Sequence, residues 1–188
     1  MKKLIAMGLT VIMTAVAVCG CGSSDSGNDA KKSDNQTKQQ AVKVIDVDLT
    51  SEEYAFGVDK NKPELLTQVN DFIKEIKDKG TFDEICNKYF GGGNPTPVKS
   101  EKLDTSKDQL LVATNTKGED YYGIDMEIAS MLADELGQEL VIQNMEFDSV
   151  CLSVGQHKSD IAMTGLTIKE DRKKYVNFTD PYYNAAQR

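Results

Sequence analysis

Thr164-Gly165-Leu166-Thr167, followed closely by Arg172, is the part of this 188-residue sequence best equipped for chemistry, and that chemistry is the capture of an anion. The segment begins where the apolar run Ile161-Ala162-Met163 ends, as a turn leaving a strand does. Its glycine exposes a backbone N–H, its threonines add hydroxyls, and it runs into a short helical stretch at Lys169-Glu170-Asp171-Arg172. Such a turn donates hydrogen bonds to an oxyanion. Arg172 adds a planar fork of N–H donors that holds a carboxylate through two parallel bonds, which lysine does not reproduce. Thr114-Asn115 ends another apolar run in the same way. In an open α/β sheet, ligands collect at such strand ends.

Catalysis and metal binding find little support. His157, the single histidine, lies in the polar connection Gly155-Gln156-His157-Lys158, and Cys86 and Cys151 lie on apolar helix faces outside any nucleophile motif. One histidine and two scattered cysteines lack metal-ligand spacing. No catalytic residue, metal or cofactor is expected. The two cysteines are open to two readings, buried thiols or one disulfide. A formal net charge of −8 argues against nucleic acid as a partner and against a basic docking surface on anionic lipid.

The elements that must position the turn follow from apolar spacing. Val42, Val44, Ile45 and Val47 suggest one strand and Tyr54 to Val58 another. Asn61 is the N-cap candidate of a helix with Pro63 in its first turn, its apolar face running from Leu65 to Ile76 and its end at Gly80. Thr81-Phe82-Asp83-Glu84 reads as a capping box for a second helix, which Gly91-Gly92-Gly93 stops. After the connector, Leu110 to Thr114, Leu140 to Ile142 and Ile161 to Met163 read as strands. Between them, Asp125 caps a helix lined by Ile124, Ile128, Met131, Leu132 and Leu136, and Phe147 to Val154 forms another with Phe147, Val150, Cys151 and Val154 inward. Strands alternating with helices predict an α/β fold with parallel pairing. Tyr182 and Tyr183 are expected to pack.

The first residues read differently. Lys2 and Lys3 precede an apolar run from Leu4 to Val18, too short to span a bilayer, and small residues follow, as in a signal peptide. Val18-Cys19-Gly20-Cys21 resembles the lipobox of bacterial lipoproteins, in which the cysteine after a small residue receives a diacylglyceryl group; Cys21, preceded by Gly20, is the lipidation candidate and Cys19 the second choice. The expected order is a signal peptide over 1–21, a solvated tether over 22–40 with almost nothing to bury, and one domain over 41–188.

From Gln109 to Gln187 the chain resembles the polar amino-acid family of extracellular solute-binding proteins that feed ABC importers. The resemblance rests on the anion-binding turn with Arg172, the stretch Tyr175 to Tyr183, Gly123-Ile124-Asp125, Leu136-Gly137, Phe147-Asp148 and Ser159-Asp160-Ile161. It implies a periplasmic-binding-protein type II lobe, an open, mostly parallel sheet flanked by helices. It also implies that the Gly165 backbone, Thr167 and Arg172 hold the α-carboxylate of a polar amino acid, with Thr164 and Asn115 beside them. The implied partners are that ligand, a transporter permease and, through the lipid, the outer face of the cell membrane. The segment 41–93, with Lys88-Tyr89-Phe90-Gly91, resembles the closing part of the same family, yet it precedes 109–188, which resembles the opening part. The resemblance therefore implies a circular permutation through a linker at 94–108, which nearby termini tolerate.

Two departures bear on function. The family's aromatic and proline-rich loop is shortened here to Thr116 to Tyr122, leaving Tyr121 and Tyr122 as candidate substitutes, and the chain stops at Ala185-Ala186-Gln187-Arg188, where the family crosses into its second lobe. The expectation is a one-lobe fragment with weak binding; the alternative is a degenerate sensing or interaction module without transport function. For the anchor, Cys21→Ala should abolish metabolic labelling by palmitate and release the protein from membranes, while Cys19→Ala should leave both intact.

Overall fold

A computed structural model describes residues 46–116 and 120–187. Leu110, Val112 and Ala113 lie on β3 (Gln109–Thr114), whose nearly continuous apolar run reflects burial on both faces. β3 pairs in parallel with β4 (Glu139–Asn144) on one side and β5 (Ile161–Ala162) on the other. The helices α3 (Ile124–Leu136) and α4 (Phe147–Gly155) make the connections between them. To this point the pairing follows the expected α/β pattern.

The remaining strands depart from it. β1 (Thr50–Tyr54) and β7 (Tyr183–Gln187) form a separate antiparallel ribbon, with Tyr54 opposite Tyr183. The chain leaves this ribbon beside the ends of the parallel strands, so β2 (Gly57–Asp59) runs downward, antiparallel to both β5 and β6 (Val176–Phe178). The five-stranded order is β4-β3-β5-β2-β6.

Alternation along the strands divides the core between two faces. Val112 and Ile161 join α1 (Pro63–Asp78), α2 (Thr81–Phe90) and α3 on one face. Their neighbours Ala113 and Ala162 meet Val150, Cys151 and Val154 of α4 on the other. Cys86 packs against the first cluster and Cys151 sits within the second, so the cysteines are separate free thiols and the disulfide reading is set aside. Burial raises the pKa of both, which disfavours their thiolate forms.

Several local expectations are corrected. Val42 to Ile45 lie outside the described residues, and Val47 sits in a bend, 62% exposed, not on a strand. Lys62, not Asn61, is the N-cap of α1, because the Asn61 N–H donates to Asp59 Oδ1 at 2.8 Å and its side chain turns to His157 Nε2 at 3.1 Å. Pro63 occupies the first turn as expected. No capping box forms at Thr81: Gly80, with φ +76°, both ends the turn after α1 and caps α2, so Thr81 is already helical. Phe147 is not inward but 37% exposed, its ring covered by Arg172.

Polar contacts at several points tie residues 46–93 to residues 109–187. Glu127 of α3 accepts from Lys88 Nζ at 2.5 Å and from Tyr89 Oη at 2.9 Å. His157 Nδ1 lies 2.8 Å from the buried Asp59 carboxylate. Asp160 accepts from Lys62 Nζ at 2.5 Å and from the Leu111 N–H at 2.8 Å. The two segments therefore share one sheet, one core and a set of charged clips. Ile128, with no exposed surface, should lose about 2–5 kcal/mol of stability on replacement by alanine, whereas Leu152→Ala, at a 40% exposed position, should change it by less; urea unfolding measures both.

Candidate functional site

The ends of β3 and β5 lie side by side, and their outgoing segments bond to each other. The Asn115 N–H donates to Thr164 Oγ1 at 3.2 Å, while the Asn115 side chain donates to the Met145 carbonyl at 2.8 Å. Thr116 is held by Asn144 through paired bonds of 2.9 and 3.1 Å, yet its buried Oγ1 has no partner among the described residues. Past Thr164 the backbone enters the left-handed region at Gly165, φ +57°, which a side chain would disfavour. That conformation turns the Gly165 N–H toward α3.

Its acceptor is Asp125 Oδ2, at 2.6 Å. The sequence suggested Asp125 as a helix cap; instead Gly123 is the N-cap of α3, and the Asp125 carboxylate reaches across to the turn. Its other oxygen accepts from Tyr182 Oη at 2.7 Å. Tyr182 does pack as expected, its ring stacked 4.3 Å from Phe56, but its hydroxyl has this second task. Burial raises the Asp125 pKa above the ordinary 3.8, against the opposing pull of the Tyr182 and Gly165 hydrogen bonds. Burial and the neighbouring carboxylate also raise the Tyr182 pKa, so that hydroxyl stays protonated and donates.

Thr167 and Arg172 follow on the same loop. The Thr167 hydroxyl donates to Glu52 Oε2 at 3.0 Å, and the Thr167 carbonyl accepts from Arg172 Nη1 at 2.8 Å. The Arg172 guanidinium lies 5.1 Å from the centre of the Phe147 ring, and Glu170 pairs with Lys173 at 2.6 Å. The helical turn at this point is a short 3-10 turn, Arg172–Lys174, and begins later than expected because Lys169 is irregular and Glu170 and Asp171 form a turn.

Above the strand ends lies a cleft of about 380 Å³. Asn115, Thr116, Thr164 and Gly165 line it together with Asp125, and Tyr54, Tyr183, Tyr89, Phe90 and Tyr122 add aromatic walls. Thus Asn115, Thr164 and Gly165 come together in one cleft, while Thr167 and Arg172 continue the loop beside it. Of the two tyrosines after the shortened loop, Tyr122 lines the cleft and Tyr121 packs against the core. Residues 117–119 of that loop lie outside the described residues, as does Cys21. The sequence reading missed Asp125 as an acceptor and missed Glu52 and Tyr54 at the site altogether. Gly123-Ile124-Asp125, an acid in the first turn just past a glycine, was the available signal for the first; the other two have none.

A strand-end cleft on a mostly parallel sheet, bordered by two antiparallel connecting strands, defines a ligand-binding lobe of the solute-receptor class. The chain belongs to the bacterial extracellular solute-binding proteins, family 3, whose model matches residues 10–92 and 106–188. It is 31% identical over 90 residues to the arginine-binding extracellular protein ArtP of Bacillus subtilis, a match covering 44% of this chain and 35% of that protein. It is 37% identical over 70 residues to the arginine-binding periplasmic protein of Mannheimia haemolytica, covering 37% and 29%. It is also 28% identical over 81 residues to the cyclohexadienyl dehydratase of Pseudomonas aeruginosa, covering 43% and 30%. The chain spans about a third of the length of these relatives. Membership of an extracellular family places the protein outside the cytoplasm. No helix among the described residues is long and apolar enough to cross a membrane, and no cluster of metal-ligating side chains occurs among them.

The raised Asp125 pKa has a definite sign. The folded state holds this proton more tightly than the unfolded state, so the group's contribution is fully present below the unfolded value of 3.8 and is lost as pH rises through the folded value. Asp125→Asn should therefore flatten the fall in urea midpoint as pH rises from about 4 to about 7, relative to the unaltered chain.

Proposed function

We propose that this lobe captures the α-carboxylate of an amino acid as the substrate-binding component of an ABC importer. The observation that carries the reading is the convergence of Asn115, Thr164 and Gly165 in one cleft, with Arg172 anchored on the loop that leaves it. The bond from Arg172 to Thr167 and its contact with Phe147 hold the guanidinium before ligand arrives, which lowers the ordering cost of binding. Relatives that bind arginine support an amino acid as the ligand.

In this reading the order of the segments is circularly permuted. Residues 41–93 would correspond to the closing part of the lobe and 109–188 to its opening part, joined through 94–108. The pairing of β1 with β7 supports it, since two antiparallel strands leaving a lobe together are what a hinge requires. A lipid on Cys21 and the polar residues 22–40 would keep the lobe near its importer at high effective concentration.

Among the described residues one lobe faces the cleft, so a bound carboxylate stays half solvated and its ion pair with Arg172 is weakened. Calorimetric or NMR titration of the chain with L-arginine and other amino acids should give saturable binding near about 1 mM or weaker, roughly −4 kcal/mol. Arg172→Ala should weaken it by about tenfold or more. A second reading, a sensing or interaction module that kept the fold without capture, is favoured by one feature: the Gly165 N–H and the Thr167 hydroxyl are both already bonded inside the chain. Failure of every amino acid to bind would establish that second reading instead.

A further inference from the structure

The order of strands gathers lysines at the end of the lobe opposite the cleft. β2 runs antiparallel between β5 and β6, so the residues that follow it stand beside those that lead into both neighbours. Lys60 therefore meets Lys174, 114 positions away, and donates from Nζ to its carbonyl at 3.1 Å. Beside Lys60, the Asp59 carboxylate meets His157 Nδ1, and Lys158 is the next residue along. Lys60, Lys158 and Lys174 are exposed. Three neighbouring acids are already engaged: Asp59 is buried against His157, Asp160 pairs with Lys62, and Glu170 pairs with Lys173. The charges of Lys60, Lys158 and Lys174 are not neutralised by any ion pair among the described residues. A net charge of −8 argues against a basic face, yet the insertion of β2 builds one locally.

Two further features give this face a chemistry. Tyr175 follows Lys174, is 41% exposed and packs against Gly155 of α4. A ring partly in water beside lysines joins an apolar body to cations, which suits the boundary between water and lipid headgroups. Under β3 and β4 the same end turns acidic, at Asp108 and Glu139, so a negative surface is attracted to the β5-β2-β6 half alone. In the anchored reading above, the lipid on Cys21 delivers the chain to a membrane, so these lysines need only orient the lobe and not hold it there.

We propose that the face formed by Lys60, Lys158, Lys174 and Tyr175 rests on the anionic phospholipid surface of the membrane, which leaves the cleft turned toward the medium. The test binds the full chain to phosphatidylcholine vesicles, with and without phosphatidylglycerol, and reads the acetylation of single lysines by mass spectrometry. Lys60, Lys158 and Lys174 should react about fivefold more slowly on the anionic vesicles, while Lys74, exposed on α1, keeps its rate. Sodium chloride at about 0.5 M should remove the protection, because the screening length then falls to about 4 Å. Lys60→Glu combined with Lys174→Glu should abolish the protection of Lys158, with thermal melting confirming that the variant folds. Equal rates on the two kinds of vesicle, or equal slowing of Lys74, would overturn the proposal, as would protection that survives the double substitution. Protection by soluble polyglutamate but by neither vesicle would assign the face to an acidic polypeptide and overturn the membrane as its occupant.

Discussion

The carboxylate of Asp125 joins three parts of the chain that have no other reason to meet: the first turn of α3, the glycine turn after β5 and the approach to β7. A charged group placed in the interior is costly unless its oxygens are satisfied, and here each oxygen accepts one bond, from the Gly165 N–H and the Tyr182 hydroxyl. That requirement sets the floor of the cleft. If Gly165 did not adopt its left-handed conformation, Asp125 would lose a donor.

The same contact helps to tie the two segments of the chain into one lobe. Tyr182 stacks on Phe56 from the segment 46–93, yet bonds to Asp125 from the segment 109–187. Glu127 with Lys88 and Tyr89, and Asp59 with His157, repeat that pattern around the sheet. β2 inserted between β5 and β6 completes it, because the sheet's core faces are covered only when both segments are present. Buried contacts do not depend on the order in which the chain visits them, provided that a connector can span the joined ends.

The loop beside the cleft is held in place by contacts within the chain. Arg172 is not a loose surface arginine: one bond to Thr167 and the Phe147 ring fix its direction. Preparation has a cost, however. Donors that might have gone to a ligand, the Gly165 N–H and the Thr167 hydroxyl, are engaged within the protein. What the loop offers outward is therefore narrower than its composition suggests, and depends on which atoms retain hydrogen-bonding capacity.

Much of this was legible from residue order alone. The 3.6-residue spacing of Leu65 to Ile76 and of Ile128 and Leu132, the glycines at 80 and 137, and the apolar run of β3 determined helices, stops and a buried strand, because periodicity records which face must leave water. The turn that leaves β5 at Thr164 and Gly165 was legible from local composition as well. Cap assignments at Asn61 and Asp125 failed where a side chain found a better partner elsewhere in the fold, and that at Thr81 failed because Gly80 already occupies the cap. The antiparallel insertion of β2, the acceptor role of Asp125 and the bond between Glu52 and Thr167, 115 positions apart, were decided only by tertiary structure. Such pairings depend on how distant segments close upon one another, and a residue's type and its near neighbours carry no record of that.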